Sequence, residues 1–73
     1  MDADEHLRRI LHFSPEIREL SIHEPTVAAF VSLYVCGKIE TVAEALDQMA
    51  SELSAHTKPV TLGVVTAARL RVR

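Results

Sequence analysis

Cysteine occurs once in the 73 residues, at Cys36. A single thiol leaves no disulfide to staple the chain to itself and no thiolate set for a structural zinc. Aromatic residues are almost as scarce: Phe13, Phe30 and Tyr34, with no tryptophan. The apolar content of 48% rests on alanine and valine instead. The two glycines, Gly37 and Gly63, stand alone, which excludes a glycine-rich phosphate loop, and no cofactor is expected. With only three prolines besides, the composition is not that of a low-complexity or disordered chain. The longest apolar run, Val27 to Cys36, is broken only by Ser32. It is half of the roughly 20 residues that span a bilayer. The first 24 residues are charged and hold no apolar core of a signal peptide. A cytoplasmic protein with no membrane partner is the expectation.

What is present is enough for one small domain, residues 1–73. A chain of this size buries only about 60% of its unfolded surface, so a staple or a second copy commonly supports it. Charge is unevenly spread. The overall −2 combines an acidic stretch up to residue 57, with ten acids against four bases, and a basic end of Lys58, Arg69, Arg71 and Arg73 without an acid. Cations suit the last turn of a helix, and that accounts for the basic end without invoking a ligand.

Helix grammar divides the chain into five segments. Leu7, Ile10 and Leu11 recur at helical spacing, and Asp2, Asp4 and Glu5 suit the positive end of a helix running from Asp2 to Phe13. Ser14-Pro15 stops that helix and starts the next, because the residue before proline is held extended while serine caps and proline fits the first turn. Pro25 opens a third helix, which Gly37 ends in a left-handed cap with Lys38 beside it. Thr41 followed by Glu44 is a capping box ahead of the apolar stripe Val42, Ala45, Leu46, Met49, Ala50 and Leu53. The last segment, Val60 to Arg73, reads two ways. Its even positions from Leu62 to Val72 are apolar or threonine and alternate with the arginines, as in a strand; as a helix, Thr61 caps it and the arginines fall at its favourable end. An all-α bundle of four to five short helices is predicted, with a helical body carrying one C-terminal strand as the alternative.

The third helix is apolar nearly all round, and a helix of that kind is covered on most sides. The small chain favours a core shared between copies, a homodimer, with Phe30 and Tyr34 stacked four apart as anchors and Val27 and Val31 beside them. The same four residues as the core of a monomer is the competing reading.

Candidate chemistry is sparse. His6, His12, His23 and His56 have no metal-ligand spacing and read as surface side chains. Cys36 lies at a helix C-terminus, where the dipole disfavours a thiolate, and reads as a small buried residue. The carboxylates fall on solvated helix faces. Catalytic and metal sites are therefore not expected. A helix-turn-helix laid over Ala29–Met49 places Leu33 where a small residue belongs, and its reading helix presents Glu44 and Asp47 with no Arg or Lys, a face that phosphates repel. The favoured function is a non-enzymatic protein-binding module, adaptor or small inhibitor, meeting another protein through the acidic surface of Glu44, Asp47 and Glu52. The alternative is a nucleic-acid-associated regulator whose phosphate contacts are Lys58, Arg69, Arg71 and Arg73. None of these motifs is specific to a family.

Overall fold

Each helix begins where a polar side chain or a proline meets a free turn of backbone amides. In the computed structural model, which describes residues 2–56 and 58–72, α1 covers Ala3–Ile10 and the Asp2 carboxylate accepts from the Glu5 amide at 2.8 Å. Pro15 is the first residue of α2 (Pro15–His23), and Ser14 Oγ accepts from the Ile17 amide at 3.3 Å. Pro25 likewise opens α3 (Pro25–Val35). Thr41 caps α4 (Val42–Ala55) through Oγ1 to the Glu44 amide, 3.1 Å, while the Glu44 carboxylate turns to the Gln48 amide at 3.5 Å. The first half of the expected capping box is thus in place. Pro59 opens α5 (Pro59–Arg71).

The end of α3 is set by Gly37, whose φ of 85° lies in the left-handed region that a side chain disfavours. Its amide donates to the Tyr34 carbonyl and that of Lys38 to the Leu33 carbonyl, at 3.1 and 2.8 Å, the two bonds of a Schellman cap. The chain then turns Ile39 inward, where it is buried. The turn also carries Cys36 outward: it is exposed, its thiol 3.5 Å from the Leu33 carbonyl, which corrects the expectation of a buried cysteine.

The all-α reading holds, and among the described residues there is no strand. Residues 60–72 follow the helical rather than the alternating pattern. Thr61, Val65 and Ala68, at i, i+4 and i+7, face inward, whereas the even-numbered Thr66 and Leu70 are exposed. Lys58 occupies the cap position assigned to Thr61, which points into the core at 8% exposure. The first helix is shorter than expected. Beyond Ile10 the backbone tightens, with the His12 and Phe13 amides bonding three residues back, and this rotates Phe13 into the core ahead of Ser14.

Helix α4 lies between α3 and α5, α2 packs on α3 and α5, and α1 lies on α3. Ile17, Val27, Leu46, Met49, Leu53 and Val65 are the largest fully buried side chains. Each is worth about 1.5–3 kcal/mol relative to exposure. A radius of gyration of 11.4 Å agrees with the roughly 11 Å that size scaling gives a folded chain of this length.

The apolar helix is covered within one chain. Val27, Val31 and Tyr34 turn inward at 0%, 4% and 5% exposure. Its outer strip consists of Pro25, Ala29, Ser32 and Cys36, all exposed. These are small residues, so α3 shows water little apolar area although it presents no charge there.

Candidate functional site

The packing of α1 departs from the amphipathic pattern its sequence suggests: Ile10 stays inward, but Leu7 and Leu11 do not. Residues 5, 6, 9 and 10 make its half-buried side, and Asp4, Leu7, Arg8 and Leu11 face solvent. Leu7 and Leu11 are 62% and 63% exposed. The reason lies in Arg9. Its guanidinium sits over the Tyr34 ring, 4.1 Å from the centroid, and Nε donates to the Tyr34 carbonyl at 2.8 Å. Nη2 reaches the Ile39 carbonyl at 3.4 Å. The Tyr34 hydroxyl shares a hydrogen bond with His12 Nδ1, 2.5 Å, and the Phe13 ring meets its edge-on neighbour Tyr34 at 5.2 Å and 84°. Docking α1 by this cluster keeps Arg9 against α3 and turns both leucines out.

Leu11 forms one wall of a depression of about 340 Å³. Ile17, Leu46 and Ala68 line its interior with Phe13, and Val42 and Val72 stand with Leu11 at its edges. Its polar lining is Arg18, Arg71, His12 and Ser14, with no carboxylate among the described residues. Arg71 Nη1 lies 3.7 Å from Glu16 Oε2 just outside, whereas Arg18 has no carboxylate partner among the described residues. The Glu16 carboxyl is held below its ordinary pKa, first by its own backbone amide, then by the Ser14 hydroxyl, with Arg71 and Arg18 adding.

The acidic residues read from the sequence fall on the outer side of α4, but not as a bare field. Asp47 binds Arg69 Nε at 2.7 Å, and Glu52 lies 3.9 Å from His56. Glu44 is exposed and has no cation partner among the described residues. The basic residues are dispersed: Lys58 pairs with Glu24 at 3.0 Å, Arg69 with Asp47, and Arg71 with Glu16. Arg73 lies outside the described residues. Phe30 is half-buried against the core, and the other three proposed anchors, Val27, Val31 and Tyr34, are already enclosed by a single copy. Among the described residues no three of His, Cys, Asp and Glu converge, and no helix is long and apolar enough to cross a membrane.

Sequence reasoning missed the depression because its walls come from the α1–α2 turn, α4 and α5. One signal was available: Leu7 and Leu11 share a helical face with Asp4, while Arg9 lies opposite. Comparison with known proteins gives no match: no family model fits the chain, and no curated protein or solved structure resembles it closely enough to carry a residue across.

Proposed function

We propose that the chain is a non-enzymatic protein-binding module, of the adaptor or small-inhibitor kind, that binds through the apolar surface around α1 and the adjoining depression. The observation that carries this reading is the outward display of Leu7 and Leu11 beside a concave apolar floor. Single exposed leucines are ordinary, but two in line next to a hollow of this size make a surface that a second protein covers with profit in apolar burial. The outer side of α4 supplies charge at a distance, with Glu44 its acid that has no cation partner among the described residues, and suits a partner with a basic or mixed rim.

The test uses the purified chain as bait, identifies the captured protein, and then measures its binding by calorimetry. Leu7→Asp and Leu11→Asp are expected to weaken the complex by an order of magnitude or more, while Glu44→Lys weakens it chiefly at low salt. Binding that is indifferent to both leucine changes overturns the reading.

A further inference from the structure

We infer that one occupant of this surface is a second copy of the chain, and that the two copies associate by laying their α1 helices antiparallel so that each places Leu7 at the other's depression. The inference rests on the protein-binding reading above and adds to it the identity and geometry of a partner.

Three observations lead to it. The outer side of α1 carries Asp4, Leu7, Arg8 and Leu11, its two exposed leucines one turn apart and Arg8 held by Glu5 of its own helix. The depression offers the complement: an apolar floor and, among the described residues, Arg18 without a carboxylate partner and no acid in the lining. Asp4, too, has no cation partner among the described residues, since Arg8 is taken by Glu5 at 2.8 Å. The leucines match the apolar floor and Asp4 matches Arg18, and among the described residues neither of these two charges has a partner of opposite sign.

The geometry closes on itself. Leu7 and Leu11 are four residues apart, about 6 Å along the helix. An antiparallel pair with its two-fold axis beside residue 9 sets Leu7 of each copy opposite Leu11 of the other, as an isologous contact requires. The same register carries Asp4 past the partner copy's Leu11 towards its α1–α2 turn, on the side of the depression that Arg18 lines. Arg9 near the axis does not obstruct the contact, because its side chain is turned away onto Tyr34. A closed two-fold pair uses both strips and both depressions at once and leaves no open end for further growth.

Sedimentation equilibrium of the full chain over a wide concentration range is the test, with circular dichroism to show that each variant stays folded. The expected result is a monomer–dimer equilibrium in which Leu7→Asp raises the dissociation constant by about tenfold or more, since two buried leucines are lost per dimer. Arg18→Asp alone and Asp4→Arg alone are each expected to weaken the dimer, and the double variant to recover it. A wild-type chain that is monomeric throughout overturns the inference, as does a dimer that Leu7→Asp leaves intact or a charge swap without recovery. If the monomer instead binds a small amphipathic acid such as octanoate, displaced by Arg18→Asp, the occupant is a ligand and the inference fails. A monomer that captures a different protein in a Leu7-dependent way defeats this inference but leaves the protein-binding reading standing.

Discussion

Replacing Arg9 with methionine tests how α1 is held. Methionine keeps an unbranched stem against α3 but loses the cation and its donors. The Nε bond to the Tyr34 carbonyl, at 2.8 Å, comes from a charged group, a class worth about 1.5–3 kcal/mol, and its partial burial argues for the lower end. The guanidinium over the ring, at 4.1 Å, adds about 0.5–1 kcal/mol. The 3.4 Å contact to Ile39 adds little at that length. Arg9→Met is therefore expected to destabilise the fold by about 2–3 kcal/mol. For a domain of this size that lowers the melting temperature by roughly 8–24 °C. Arg8→Met is the matched control: Arg8 is 68% exposed and, among the described residues, pairs only with Glu5 in its own helix. That change is expected to stay within about 0.5 kcal/mol. Thermal and urea melts followed by circular dichroism read both. An Arg9→Met protein as stable as the Arg8→Met control refutes the claim that Arg9 anchors α1.

Other expectations follow from the same structure. Gly63 is exposed in the middle of α5 and a Cβ there meets nothing within 4 Å, so Gly63→Ala is expected to stabilise the fold by about 0.5–1 kcal/mol in a urea melt. Gly37 is the opposite case: at φ 85° an alanine is strained, and Gly37→Ala is expected to lose about 1 kcal/mol or more in the same assay. The lowered pKa of Glu16 means that its carboxylate stabilises the fold above the ordinary glutamate range, and that this contribution disappears as pH falls through the lowered folded value. Melting temperature plotted against pH should therefore decline less on the acid side for Glu16→Gln than for the wild type. The pairing of Lys58, Arg69 and Arg71 with carboxylates predicts weak duplex-DNA binding with a shallow salt dependence; a steep loss of affinity with salt, abolished by truncation after Ala68, contradicts it.

Local signals were legible in the sequence and long-range ones were not. Ser14, Thr41 and Gly37 act within one turn of backbone, so residue type and spacing alone disclose the ends they set. The inward stripe of α4 was readable for the same reason, since its period is that of the helix itself. Residues 60–72 were ambiguous because the even positions match a strand, and only packing of Thr61, Val65 and Ala68 on the body selects the helical period. The apolar α3 suggested a shared core because residue type alone does not show that one chain encloses Val27, Val31 and Tyr34 and leaves out only small residues such as Ala29, Ser32 and Cys36. The orientation of α1 had only one local sign, Asp4 on the face of Leu7 and Leu11. Period alone turns Leu7 and Leu11 inward, whereas the Arg9–Tyr34 stack, 25 residues apart in sequence, turns them out. The surface proposed here for partners exists only because of that contact.

Backbone amide shifts recorded by NMR as the chain is concentrated test the central claim most directly, because they report which face a second copy covers. Concentration-dependent shifts are expected at Asp4 to Leu11, at Ser14 to Arg18 and around Arg71 and Val72, with Val27 to Tyr34 unchanged. Shifts centred on Val27, Phe30, Val31 and Tyr34, or none at any concentration, would contradict it.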